Sequence, residues 1–452
     1  MARAATKATA PPKRKKPTPE QVRKWADDDK AYWQARNDEF KNWQQMWEMR
    51  HGKAAGKGEQ AVTINDGAVL VNKLAAMCAI GHRVVWPAPP DNPELELIAQ
   101  KGENLCRFFR TEANYRHSEG LHNALAWEEA SMAGLRGYVC GRLTLAPEGD
   151  GAFPWNYTLL DIANVYPRYA GNKLIRVTHQ YRAKVFELEV DFPEAVKGRE
   201  PDEDVDVIGY YDDTWMGVMV GDDLVKMEEH GYGFCPVMIT PMAGAFYGAT
   251  PTDDKEWTRY RGQGILAKNY LPIMDKQDIL SMMKTLLYKE TNPPATAFTE
   301  KDGEALEISL KAGARNVLAE KDKLELHRVG PQFQEIMAMA SGIQDQINKG
   351  GFPPALFGDP QGTSTGFQGY LMAGSAKDVA LPYLQGLETY YTLLYRRAIQ
   401  LFVTFGAEEI EFYGADKTGK MVGLSVTPEE LAQLPPHIQV RFHTNSIQDQ
   451  IV

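Results

Sequence analysis

The chain has 452 residues, 43% of them hydrophobic and 24% charged, with a formal net charge of −10. That length suits about three domains of ~150 residues or one large elaborated domain, and the balance excludes wholesale disorder. No apolar run reaches the ~18 residues of a membrane span, since the most apolar stretch, 74–81, stops at His82 and Arg83.

Residues 1–24 hold eight Lys or Arg and a single acid, Glu20, which leaves 42 basic against 59 acidic residues in the remainder. So acidic a body is a poor candidate for tight, sequence-specific nucleic-acid binding, because phosphate neutralisation dominates that affinity. The opening MARAATKATAPPKRKKP has no apolar core and does not read as a secretory signal. Residues 1–19 form a disordered basic arm, either a solvated tail or a contact for nucleic acid or an acidic partner.

Helix is expected over 19–49, where Trp25, Tyr32, Phe40, Trp43 and Trp47 recur at helical spacing, up to the breakers Gly52, Gly56 and Gly58. A second helix spans 66–80, before the proline-rich VVWPAPPDNP, which forces an extended connection. Amphipathic helices follow over 93–111 and 118–133. From Gly137 the period becomes two, and GYVCGRLTLA, TLLDIANVY, LIRVTHQYR, VFELEV and CPVMITP read as strands. DTWMGVMVGDDLVKM reads as a hairpin turning at Gly221 and Asp222.

Helix resumes over 257–290, with Pro272 as a start or kink and a rod of about 27 Å from Ile273 to Glu290. A compact segment with two strand-bearing stretches follows over 292–331. The next helix carries the apolar stripe Phe333, Ile336, Met337, Ile343 and Ile347. GGFPPALFGDPQGTSTGFQG is a flexible run, and 370–405 is a long helix expected to kink at Pro382. The tail, 408–452, is mixed, with TPEELAQL as a short helix started by Thr427 and Pro428 and HIQVRFH as a strand. Two rods bracketing a small module suit an antiparallel stem with the module at its tip.

The chemistry of an enzyme is not evident. Cys78, Cys106, Cys140 and Cys235 stand 28, 34 and 95 residues apart, which suits buried small hydrophobes in a reducing cytosol rather than zinc ligands or disulfides. His117 and His122 are the closest histidine pair, but five residues is a poor helical spacing for two ligands. Gly262-Gln-Gly264 lacks a third glycine, and GDPQGTSTG at 358–366 lacks the Gly-Lys-Ser/Thr of a phosphate loop. The acidic runs at 27–29 and 200–206 read as solvated faces. No cofactor, metal site or catalytic constellation is expected.

The order rod, small β-bearing module, rod, Gly-rich loop and long Pro-containing rod resembles the portal proteins of tailed bacteriophages, the head-to-tail connectors. GILAKNYLPIMDKQDILSMMKTLLYKE and QFQEIMAMASGIQDQINKG resemble the two stem helices, and GFPPALFGDPQGTSTGFQG the lead-in to the tunnel loop. YLMAGSAKDVALPYLQGLETYYTLLYRRAIQLF resembles the kinked helix that runs back across the wing. The early helix followed by WPAPPDNPE, and LLDIANVYPR, agree with that wing. The resemblance covers about 25–405, rests on element order more than on a strict motif, and is most specific over 331–405.

It implies an α+β, portal-like fold. A wing would span 20–255 (helical 20–135, β-rich 136–255), with stem helices at 256–291 and 332–350 around a small α/β clip at 292–331. A tunnel loop at 351–369, a long kinked helix at 370–405 and a C-terminal wing at 406–452 would complete it, the crown being short, absent or cut off. The implied function is that of a non-enzymatic ring, usually a dodecamer, at the unique capsid vertex, assembled in the host cytoplasm. Double-stranded DNA would pass its channel non-specifically during packaging and ejection. Terminase, then head-completion or tail proteins, would dock on the clip, while capsid and scaffold proteins would meet the wing, with no membrane partner.

Under this resemblance, Lys349, Gln361, Thr363, Ser364, Thr365 and Gln368 face the channel, their mostly uncharged tips touching phosphates without locking them. Lys349 is equally explained as a helix C-terminal charge complementing the dipole. Lys301, Asp302, Glu304, Lys311, Arg315, Lys321, Asp322 and Lys323 form the clip interface. The alternatives are another ring-forming virion adaptor, a cytosolic scaffold, or an enzyme with an unrecognised carboxylate site.

Overall fold

The computed structural model describes residues 15–52, 59–89, 91–146, 153–171, 173–245, 257–291, 295–298, 323–326, 333–352, 366–406, 409–415, 419–435 and 437–442. Helix and sheet are mixed, and the chain divides into two compact units. The first draws on residues within 1–40, 75–264 and 382–452, the second on 41–74 and 265–381.

Two helices, α1 (Pro19–Tyr32) and α2 (Gln34–Trp47), replace the single one expected over 19–49. The Thr18 side chain caps α1, reciprocated by Gln21. The interruption falls at Trp33, whose buried indole donates to the main-chain oxygen of Pro167 at 2.6 Å. Helix α3 (Asp66–Cys78) and strand β1 (His82–Val85) follow. Helix α4 (Pro93–Glu119) runs eight residues beyond its expected end, and α5 (Leu125–Arg136) starts seven residues late. The Asn114 side chain on α4 accepts from Leu125 N–H at 2.8 Å, so a residue eleven positions away caps α5. Gly137 closes α5 at φ +70, where a Cβ would lie 2.3 Å from the main chain of Gln263.

Strands β2 (Tyr138–Leu145), β3 (Trp155–Leu159) and β9 (Val237–Pro241) form an antiparallel sheet in the order β3-β2-β9. TLLDIANVY is not one strand. It ends β3, passes a 3₁₀ turn (Ile162–Asn164) capped by Asp161, and starts β4 (Val165–Ala170). A five-stranded antiparallel meander joins β4 to β5 (Lys173–Lys184), β6 (Asp204–Asp212), β7 (Trp215–Val220) and β8 (Asp223–Glu229). The β7–β8 hairpin turns at Gly221, φ +60, as expected. Helix α1 lies on this sheet, with Val22 and Ala26 packed against Ile208, Tyr210 and Met219. From β5, Arg176 holds the buried Asp29 of α1 with two bonds of 2.9 Å.

VFELEV is a helix, α6 (Val185–Asp191), not a strand. Glu187 accepts from Lys184 N–H at its start, and Val185 and Leu188, three apart, enter the cluster of Val205, Val207 and Val220. Phe186 and Val190, which suggested a strand, are exposed. The second unit contains α7 (Leu266–Thr291), the antiparallel pair β10 (Ala295–Phe298) and β11 (Lys323–Leu326), and α8 (Phe333–Gly350). Helix α7 begins nine residues after its expected start at 257.

Helix α9 (Gly366–Phe405) continues through Pro382 for 40 residues. Its part after Pro382 belongs to the first unit, where Trp155 donates to the Ala398 oxygen at 2.8 Å and packs on Phe109 and Phe402. The tail adds a hairpin that the sequence pattern did not reveal, β12 (Ile410–Ala415) with β13 (Met421–Val426). Helix α10 (Pro428–Ala432) starts at Thr427 and Pro428 as expected, with Thr427 and Glu430 forming a capping box, and β14 (Gln439–Phe442) pairs with β1.

Candidate functional site

Within the second unit, α7 and α8 pack antiparallel. Asn269 reaches Gly350, and Lys276, two turns further along α7, reaches Gln344. As numbers rise on α7 they fall on α8, which leaves β10 and β11 following and preceding the two helices at the same end in chain order. Ile273 and Ile347 are buried between these polar ties. Lys276 also binds Asp66 at 2.5 Å, joining the first turn of α3 to the pair. The ammonium thus has one carboxylate and one amide oxygen, and both ties are only partly exposed.

An extended segment, 60–64, runs along α7 in the opposite direction. The N–H groups of Gln60, Val62 and Ile64 donate to Thr285 Oγ1, Ser281 Oγ and Gln277 Oε1 at 2.9, 3.0 and 3.3 Å. The geometry has a simple cause. Four helical residues rise about 6.0 Å, and two extended residues about 6.6 Å. A polar stripe at every fourth helical position therefore matches alternate amides of a strand. Lys284 adds a bond to the Ala61 oxygen at 3.3 Å. Sequence reasoning missed this strap; its signal was the i, i+4 spacing of Gln277, Ser281 and Thr285, three uncharged polar residues on one face of α7.

The outer faces of the pair carry apolar side chains. Leu271 is 71% exposed, Met282 57%, Met337 55% and Met339 60%. Met337 is therefore not part of the inward stripe of α8, which runs through Ile336, Ala340, Ile343 and Ile347. A methionine one residue off an i, i+4 stripe turns about 100° away from it.

Lys349 sits exposed in the last turn of α8, a position that complements the helix dipole. Gln368, expected in the loop 351–369, lies in the first turn of α9, which starts at Gly366 rather than 370. Three hydroxyl residues, the preferred N-cap type, precede that start in the sequence. Gln361, Thr363, Ser364 and Thr365 lie outside the described residues. Of the clip residues only Lys323 is described, as the first residue of β11 opposite Phe298. Lys301, Asp302, Glu304, Lys311, Arg315, Lys321 and Asp322 lie outside the described residues. Pro382 is exposed within α9.

The first unit buries its chemistry. Glu129, fully buried, accepts from Arg110, Tyr157 and Tyr391, and Tyr157 meets Tyr390 at 2.8 Å. Burial, then the Glu129 charge, pushes all three tyrosine hydroxyls well above their ordinary range. They stay protonated donors. A carboxylate saturated by an arginine and two phenols holds helices together and has no remaining face for a substrate. The four cysteines are free and buried, and burial raises each thiol. A cavity of ≈ 870 Å³ between α4 and the β12–β13 hairpin is lined by Arg107, Phe108, Glu112, Glu411 and Tyr413 among others, with no His or Cys in its lining. No described helix is long and apolar enough to cross a membrane. No protein-family model matches the chain, and no curated protein matches it.

Proposed function

We propose that the chain is a subunit of a phage portal ring, the channel at the unique capsid vertex through which double-stranded DNA is packaged and ejected. What carries this reading is the exposed apolar set on the α7–α8 pair: Leu271, Met282, Met337 and Met339. Large apolar side chains on the outer faces of two rods favour burial against another surface. A second copy of this chain, repeated head-to-tail, covers such faces and closes into a ring.

Further support comes from element order. An antiparallel helix pair brackets a two-stranded module and precedes a 40-residue helix containing proline. The excess of acid in the body suits a conduit, since each lysine or arginine bonded to phosphate would brake a sliding duplex. The segment 292–331 would dock terminase and later head-completion or tail proteins, and the first unit would meet capsid and scaffold.

Native mass spectrometry with negative-stain imaging of the purified protein tests the reading. Rings of about a dozen copies around a central hole are expected. A protein that stays monomeric at high concentration, with scaffold and capsid proteins present, overturns it.

A further inference from the structure

Among the described residues outside the helix pair, one cluster of ligating side chains is left without a role. His117 in the last turn of α4, His122 in the following loop and Glu128 in the first turn of α5 converge, although five residues separate the histidines. The sequence argument against this pair assumed one helix. The chain leaves α4 at Gly120, and His122 folds back until the two imidazoles stack at 4.5 Å between centroids and 15° between planes.

We propose that His117, His122 and Glu128 form a zinc site with three protein ligands and one open coordination position. One ligand atom from each residue falls within a group spanning no more than 4.8 Å. The carboxylate presents one oxygen to each ring, Oε2 at 2.9 Å from His117 Nε2 and Oε1 at 3.7 Å from His122 Nδ1. Ligands at ~2.0–2.1 Å around a tetrahedral zinc stand ~3.3 Å apart; bound through Oε2, the carboxylate already stands near that spacing from His117 Nε2, and the half-exposed His122 swings in to complete the set. Two imidazoles with one carboxylate suit zinc, whereas magnesium and calcium favour all-oxygen sets.

The surroundings support the same role. Asn123 N–H donates to Glu128 Oε1 at 2.9 Å and fixes the carboxylate, the kind of outer contact that orients metal ligands. Leu121 adopts φ +61 with its side chain 98% exposed, so the loop accepts a disfavoured backbone and a solvated leucine at the turn that returns His122. A Cβ on Gly120 would lie 3.0 Å from the His122 ring, so the glycine leaves that ring its room. His117 and Glu128 are largely covered while the His122 side chain is 55% exposed, which puts the fourth position on the solvent side for a water molecule. The bound ion would tie the end of α4 to the start of α5. This proposal does not rest on the portal reading.

The test uses the full chain stripped with chelator and titrated with Zn²⁺ by calorimetry and with Co²⁺ by visible absorption. One ion per chain is expected, with cobalt bands of a tetrahedral site and a melting temperature raised by zinc. His117→Gln, His122→Ala and Glu128→Gln should each weaken binding by roughly tenfold or more, and His122→Ala should lose the zinc-dependent rise in melting temperature. His122 is half-exposed, so this variant keeps the test valid if a change at His117 disturbs folding; circular dichroism checks each fold. Absence of binding to the wild-type chain overturns the proposal, as does equal affinity in all three variants.

Discussion

Asn269 Nδ2 donates to the Gly350 oxygen at 3.1 Å, and the same amide donates to Ile265 at 2.9 Å. The first turn of α7 is thereby tied to the last residue of α8. Asn269 is 1% exposed, and a Cβ at Gly350 would stand 2.5 Å from its Oδ1. The amide and the glycine fill each other's space. Asn269→Ala should therefore destabilise the protein by about 1 kcal/mol, the usual net loss for a part-buried hydrogen bond. Gly350→Ala should destabilise the wild type yet be better tolerated beside Asn269→Ala, because the clash is gone. Denaturant unfolding of the double-mutant cycle checks this, and additive losses would contradict the packing argument.

The strap predicts a local effect. Ser281→Ala with Thr285→Val removes the acceptors of Val62 and Gln60 while leaving the Gln277 bond to Ile64. With about 1 kcal/mol lost per bond, amide protection at Gln60 and Val62 should drop about fivefold. Hydrogen exchange read by NMR or mass spectrometry measures it. Unchanged protection would mean that the two hydroxyls do not hold the segment.

The sequence revealed the elements whose determinants are local. The helix start at Thr427 and Pro428, the Gly221 turn and strands β5, β7 and β8 appear where residue type alone places them, whereas β6, which begins inside the acidic run 200–206, was not expected. What it hid depends on distant partners. Asn114 caps α5 from another helix, and Trp33 interrupts 19–49 through Pro167, 134 positions away. Arg36 is 1% exposed beneath Trp33 and Phe40, bonded to the oxygens of Ile162 and Val165. Burial lowers its guanidinium to about 10, still charged at neutral pH. The helix pair was legible as two apolar rods, but the partners of Asn269 and Lys276 were not, since neither residue belongs to a local pattern. His117 and His122 escaped because the loop, not helical spacing, brings them together.

Acid should destabilise the first unit through partly or fully buried imidazoles. His82 stacks on Tyr391 and meets the Tyr395 hydroxyl at 2.7 Å; burial, then the Arg110 charge, lowers its pKa from 6.5 to about 4. His179 is lowered to about 4, by burial and then Arg142, and His230 is lowered by burial. A folded-state pKa below the unfolded one means that protonation favours unfolding. The stability is present above about pH 6.5 and is lost as pH falls toward 4, up to about 3 kcal/mol for His82. Asp29 acts in the opposite sense, because burial raises its carboxyl despite Arg176. Urea midpoints across this window should fall steadily for the wild type and less steeply for His82→Gln. Parallel curves would show that His82 does not carry the dependence.

Ring assembly should depend on the outer faces of the helix pair. Met337 and Met339 are 55% and 60% exposed on α8, and Leu271 is 71% exposed on α7. A glutamate at any of these positions meets water in the isolated chain, so surface substitutions there should change stability by about 0.5 kcal/mol or less. In a closed ring the same carboxylate is desolvated against a neighbour, at several kcal/mol per interface unless paired. Repeated at every interface, that penalty should leave Met337→Glu and Leu271→Glu as folded monomers with unchanged melting curves. Lys349→Glu, at an exposed helix end, serves as the control and should still assemble. Sedimentation velocity distinguishes the outcomes. If the glutamate variants assembled as fully as the wild type, these side chains would lie outside the subunit interface and the portal reading would lose the observation that carries it.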